Sequence, residues 1–156
     1  SGTPDPRDPQ RGALDSFTGV PVAQRLRDGQ PLVFADIRIT AHATPGHTPG
    51  STSWTWQSCE GAACRTIAYV DSLTAISADG YRFSDHRDYV AMLRATFAKV
   101  PKLPCDILVT PHPGASNLFA RLAGDAPLTA ADGCAAYAAA AGKRLDDRLA
   151  KEAATR

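Results

Sequence analysis

The chain has 156 residues, a formal net charge of +1, 44% hydrophobic and 21% charged residues, which is the make-up of one globular domain large enough to bury a core. Its Lys and Arg are scattered rather than gathered on one face, which argues against nucleic-acid or membrane-surface binding. The longest apolar run is far too short to span a membrane.

In chain order, residues 1–12 are expected to be extended, because Pro4, Pro6 and Pro9 block regular structure. The whole stretch 1–30 is expected to be mostly a loop lead-in. Its polar start, Ser1 to Pro6, has no signal-peptide pattern and fits a processed, cleaved or truncated chain. From Pro31 the pattern becomes β: Ile37, Ile39, Ala41 and Ala43 alternate with Asp36, Arg38, Thr40 and His42. Residues 51–57 read as a strand with Thr52, Trp54 and Trp56 on one face, and residues 65–70 as its hairpin partner. A helix is expected near Ser84, with that serine as N-cap, carrying Tyr89, Leu93, Phe97 and Val100 on one stripe and ended by Pro101. Residues 107–109 make a short, wholly apolar strand, and 116–122 a short helix. The last helix is expected from Thr129, through a capping box with Asp132, with Cys134, Tyr137, Ala138, Ala141, Leu145 and Leu149 as its buried stripe. Strands, helix, strand, helix is the order of an α/β layered domain with a mixed sheet covered by helices.

The four cysteines, Cys59, Cys64, Cys105 and Cys134, contain no C-x-x-C pair, so a structural zinc ribbon is disfavoured. Cys59 and Cys64 flank a small turn between two strands, which suits a local disulfide. A bridge from Cys105 to Cys134 would tie the last helix to the sheet. Such pairing points to an oxidising compartment such as a periplasm; the alternative is four buried free thiols.

Two histidines sit in stiff loops. His47 lies in Thr44-Pro45-Gly46-His47-Thr48-Pro49-Gly50-Ser51, and His112 lies between Pro111 and Pro113 just past the apolar strand. Neutral imidazole is the commonest protein ligand for zinc, and a ligand held still binds better. Loops at strand ends carry ligands in α/β sheets, so the two could converge. The bland alternative is a pair of loop histidines in tight turns. His42 and His86 read as a hydrogen-bonded and a solvated histidine. Asp71 could be a bridging carboxylate, an acceptor behind a ligand, or a turn residue, and Ser72 and Thr74 could donate to a substrate carboxylate or a water. No G-x-S-x-G elbow surrounds any serine, which disfavours a serine nucleophile. No H-x-H-x-D-H run is present, so the chain looks like part of a metal site.

Taken together, residues 40–51, Trp54-Thr55-Trp56, Asp71-Ser72-Leu73-Thr74-Ala75, Leu103-Pro104-Cys105-Asp106 and Thr110-Pro111-His112-Pro113 closely resemble the C-terminal half of subclass B3 metallo-β-lactamases. The resemblance implies the second half of an αβ/βα sandwich, within the span 1–156 as a single domain or half-domain. It implies two zincs per complete active site, with His47 a ligand of the first and His112 of the second. The other ligands would come from the H-x-H-x-D-H motif of the absent half. It implies that Ser72 orients water, that Thr74 helps hold the β-lactam carboxylate, and that Cys105 pairs with Cys134 and Cys59 with Cys64. The activity implied is zinc-dependent hydrolysis of the β-lactam amide, hence antibiotic resistance, in the periplasm.

The isolated chain is expected to be inactive, and to pair with its missing half or with a second copy of itself through an exposed sheet face. Two other functions remain open. One is a glyoxalase-like thioester hydrolase of the same superfamily with Asp71 as bridging ligand, disfavoured by Ser72, the Trp54/Trp56 strand and the Cys105/Cys134 pair. The other is a non-catalytic scaffold or interaction domain.

Overall fold

The structure is a computed structural model that describes residues 2–13 and 15–155. Ser1, Leu14 and Arg156, which the expected lead-in and domain span include, lie outside the described residues. Five strands form one sheet in the order β1-β2-β3-β4-β5: β1 (Pro31–Phe34), β2 (Ile37–Ala43), β3 (Thr52–Glu60), β4 (Ala63–Tyr69) and β5 (Ile107–Val109). The first three pairings are antiparallel, and β5 joins β4 in parallel. A parallel neighbour needs a crossover connection. Residues 70–106 make it and carry α1 (Arg87–Lys99), while α2 (Leu118–Ala123) and α3 (Gly133–Ala154) follow β5.

The β run that starts at Pro31 is two strands rather than one. A turn at Ala35, where φ is +51°, folds β1 back on β2 with Phe34 opposite Ile37. The β3–β4 hairpin forms as the sequence indicates, and Cys59–Cys64 closes its tip with an S–S distance of 2.06 Å. Cys105–Cys134, at 1.99 Å, ties the approach to β5 to the first turn of α3.

One face of the sheet is closed by helices. Ala68, Val70 and Leu108 from the sheet side join Leu93, Phe97 and Val100 from the α1 region. Tyr137, Ala138, Ala141 and Leu145 of α3 complete one contiguous core with Leu73 and Phe83. Burying apolar side chains of this kind stabilises the fold by about 1.5–3 kcal/mol each before conformational entropy is charged. The opposite face carries Ile39, Trp54, Trp56, Ile67, Tyr69, Ile107 and Val109, all only half-buried; strand register puts Trp54 beside Tyr69 and Trp56 beside Ile67. β5 is therefore covered on one side only, through Leu108, rather than on both as its apolar run suggests.

Both long helices begin later than the sequence indicates. Ser84 is not an N-cap for α1. It lies in a 3-10 turn, Phe83–Asp85, and its N–H donates to Glu152 Oε2 of α3 at 2.8 Å while Phe83 N–H donates to Oε1 at 3.2 Å. A carboxylate 68 residues away thus caps this 3-10 turn, and α1 starts after His86. The Thr129 capping box does not form. Ala130 N–H is spent on the Asp106 carbonyl at 3.0 Å, and α3 starts at Gly133 with Asp132 as an N-cap that makes no side-chain bond. The short helix expected over 116–122 forms as α2, and a 3-10 turn, Pro113–Ser116, precedes it. No described helix is long and apolar enough to cross a membrane.

Candidate metal-binding site

β2, β4 and β5 run in the same direction, so the loops that leave their C-terminal ends emerge at one end of the sheet. Those loops carry His47, Asp71 to Thr74, and His112. The Val70 N–H bonds the Val109 carbonyl at 2.9 Å, so the segment that opens with Asp71 and the one that leads to His112 leave from adjacent residues.

The His47 loop is braced from inside and from both sides. Gly46 N–H donates to the Thr48 carbonyl at 2.9 Å, Thr44 N–H to the Ser51 carbonyl at 3.0 Å, and Thr48 N–H to Ser51 Oγ at 3.1 Å. Gly46 has φ +150°, and a Cβ there would stand 2.5 Å from Leu93 Cδ2 of α1, so glycine is needed both for its backbone angle and for the close approach of the helix. Thr96 of α1 donates to the Pro45 carbonyl at 2.6 Å, and Gln10 Nε2 donates to the His47 carbonyl at 3.0 Å. At the root of the loop, Thr44 and Ser53 share a buried hydroxyl–hydroxyl bond of 2.8 Å, and Ser53 Oγ accepts the Asp71 N–H at 3.1 Å.

The ring of His47 is held by the neighbouring loop. Its Nδ1 lies 2.9 Å from the Thr74 carbonyl oxygen. A carbonyl can only accept, so Nδ1 carries the proton and the lone pair is left on Nε2. This is the arrangement that prepares an imidazole to bind a metal: one nitrogen fixed by an acceptor, the other free. Asp71 Oδ1 accepts Ser72 N–H at 2.8 Å, and Ser72, only 2% exposed, faces its own loop, its Oγ accepting Thr74 N–H at 3.4 Å. Thr74 itself is exposed. His112 is exposed, and its carbonyl accepts Thr110 Oγ1 at 2.8 Å and Ala115 N–H at 2.9 Å, which fixes the backbone that carries the ring.

The structure thus joins His47 directly to Thr74, and the Asp71–Thr74 segment to the loop roots on either side. His42 lies elsewhere, on the helix-facing side of β2 with Nε2 2.8 Å from Thr55 Oγ1; burial pushes its pKa below the ordinary histidine value. His86 is exposed and stacks on Tyr81 at 4.3 Å. Among the described residues no group of three or more His, Cys, Asp or Glu side chains could hold a metal ion. Catalytic zinc needs about three protein ligands. The donors present therefore fit a single-imidazole contribution from His47 and from His112, not a closed zinc site.

Sequence reasoning missed the supports that come from far along the chain: Gln10, Thr96, and Tyr137, whose hydroxyl accepts Leu73 N–H at 3.3 Å. Tyr137 was legible as a core residue, and a buried tyrosine hydroxyl asks for a partner. Nothing in the pattern says which one.

No family model matches the chain. Solved structures do. Metallo-β-lactamase MIM-1 from Novosphingobium pentaromativorans is 54% identical, with a TM-score of 0.94 over 99% of this chain and 57% of that one. Metallo-β-lactamase SMB-1, solved with 2-mercaptoethanesulfonate bound, is 43% identical, with a TM-score of 0.90 over 97% of this chain and 61% of that one. MEM-A1, a subclass B3 metallo-β-lactamase isolated from a soil metagenome library, is 37% identical, with a TM-score of 0.90 over 100% of this chain and 62% of that one. The chain spans roughly three fifths of the length of each. With this sheet, these helices and this identity, the chain is similar over nearly its whole length to metallo-β-lactamases, among them a subclass B3 member, of which it spans somewhat more than half.

Proposed function

We propose that this chain supplies part of the active site of a zinc-dependent enzyme that hydrolyses the β-lactam amide bond, giving His47 to one zinc and His112 to a second. The observation that carries this is the His47 ring, held through Nδ1 by the Thr74 carbonyl with Nε2 free, at the sheet end where His112 also emerges. Zinc there supplies Lewis acidity toward the lactam carbonyl and a water of lowered pKa. The chain's own residues hold the two rings, orient the Asp71–Thr74 segment, and present Thr74 at the surface, where its side chain is available to a substrate carboxylate.

The remaining ligands come from outside these residues, since the described ones make no three-ligand group. They are carried by the other part of the fold, which covers the half-buried face of Trp54, Trp56, Ile67 and Tyr69; a second copy of the chain is the alternative occupant. The disulfides suit an oxidising compartment, and the periplasm is the proposed location. Mixing the chain with the missing part and following hydrolysis of a chromogenic β-lactam tests this. The mixture turns over only with zinc present and only with His47 and His112 intact, while the chain alone is inactive. Zinc-dependent turnover by the chain alone, or full activity of His47→Ala in the mixture, would overturn it.

A further inference from the structure

We propose that Tyr137 of α3 is a positioning residue for the His47 imidazole, acting through the backbone that runs from the Leu73 N–H to the Thr74 carbonyl. The proposal rests on the assignment of His47 as a zinc ligand. Tyr137 is buried, and its hydroxyl accepts the Leu73 N–H at 3.3 Å. One residue on, the Thr74 carbonyl takes the Nδ1 proton of His47 at 2.9 Å. The phenol therefore fixes one end of the short backbone stretch whose other end fixes the ring. Leu73, 1% exposed, is packed in the same core as Tyr137, so the segment is anchored by its side chain and aimed by its N–H.

The helix that carries Tyr137 also lies against the turn that follows the other histidine. Tyr137 lines a groove of about 420 Å³ together with Gly114, Ala115, Ser116 and Asn117, the residues that follow His112. One turn before Tyr137, Cys134 is bonded to Cys105, two residues ahead of β5, the strand that leads to His112. A single helix is thus set in register against both loops, and Tyr137 is its contact with the His47 side.

A core tyrosine need not have such a role, and the molecule holds its own contrast. Tyr89 of α1 is equally buried, yet among the described residues its hydroxyl has no hydrogen-bond partner. Removing the oxygen from Tyr89 disconnects nothing. Removing it from Tyr137 releases the Leu73 N–H and loosens the carbonyl that holds the ligand ring.

The test compares Tyr137→Phe, Tyr89→Phe and His47→Ala in the complete zinc enzyme. Zinc affinity is measured by chelator competition, and the fraction of His47 in the Nδ1–H tautomer is measured by nitrogen-15 NMR of the metal-free protein. Outer partners of ligand histidines typically shift affinity about 10–100-fold. Tyr137→Phe is expected to weaken zinc binding by about tenfold or more and to lower the Nδ1–H fraction, with little change in unfolding temperature. Tyr89→Phe is expected to change neither readout. The proposal is overturned if Tyr137→Phe keeps both readouts while His47→Ala loses zinc, or if Tyr89→Phe weakens zinc binding as much as Tyr137→Phe does. If His47→Ala binds zinc like the parent, the ligand assignment fails first and the proposal falls with it.

Discussion

The two faces of the sheet are built from the same strands and differ in what covers them. On the helix side, Ser53, Thr55, Ala68 and Leu108 are small or compact and buried, Ala68 and Leu108 within the core that α1 and α3 complete. On the other side, Trp54, Trp56, Ile67 and Tyr69 are larger and more apolar, yet only half-buried. A face that apolar gains most from being covered, so the residues with the greatest potential burial are the ones this chain leaves half-open. The chain closes its own core on one side and leaves an apolar face half-open on the other. The loops with His47 and His112 emerge at the end of the same sheet.

The largest effect that would sharpen this contrast is functional. Joining the chain to the part that covers the tryptophan face is expected to take β-lactam turnover from none to the full rate, read with a chromogenic substrate. The next largest is on the closed side. Leu93 is fully buried between Gly46 and the core, and Leu93→Ala is expected to cost about 2–5 kcal/mol by denaturant unfolding of the chain, with loosening of the His47 loop. Removing the Cys105–Cys134 bridge, which closes a loop 29 residues apart in sequence, is expected to cost about 3–4 kcal/mol. On the open side, Trp56→Ser is expected to shift the stability of the chain alone by only about 1 kcal/mol and yet to weaken pairing strongly. Equal stability losses from Leu93→Ala and Trp56→Ser in the isolated chain would break the contrast.

A further effect concerns acid. Burial alone would raise the Glu152 carboxyl, but the Ser84 N–H, the Arg148 guanidinium and the Phe83 N–H outweigh it and hold the group below its ordinary value. The unfolded state therefore takes up a proton first as pH falls. The stabilisation is present above the ordinary carboxylate range and is lost as pH drops through the folded value. Glu152→Gln is expected to lower stability by about 1–3 kcal/mol near pH 7 and to flatten the acid limb of a thermal-unfolding profile below about pH 4. An unchanged acid limb would show that the carboxylate does not cap the Phe83–Asp85 turn.

What the sequence made legible was local. The glycine- and proline-bounded loops of His47 and His112, the Cys59–Cys64 turn between two alternating runs, and the Tyr89, Leu93, Phe97 stripe all rest on spacing within a few residues, and the structure shows each element. What stayed hidden was set by distant partners. Ser84 has the chemistry of an N-cap, but it lies inside the Phe83–Asp85 3-10 turn, which the distant Glu152 carboxylate holds, and α1 starts only after His86. Thr129 and Asp132 have the pattern of a capping box, but the Asp106 carbonyl claims Ala130. The Thr74 carbonyl on His47 is a backbone contact across 27 residues, and no side-chain pattern encodes it.

The central claim is that His47 and His112 are ligands without a complete set in this chain. Zinc stoichiometry of the purified 156-residue chain, after dialysis against a weak chelator, tests it most directly. The account predicts near-zero retained zinc per chain. Retention of one or two zincs per chain would contradict it, because the site would then be complete within these residues or within a pair of copies.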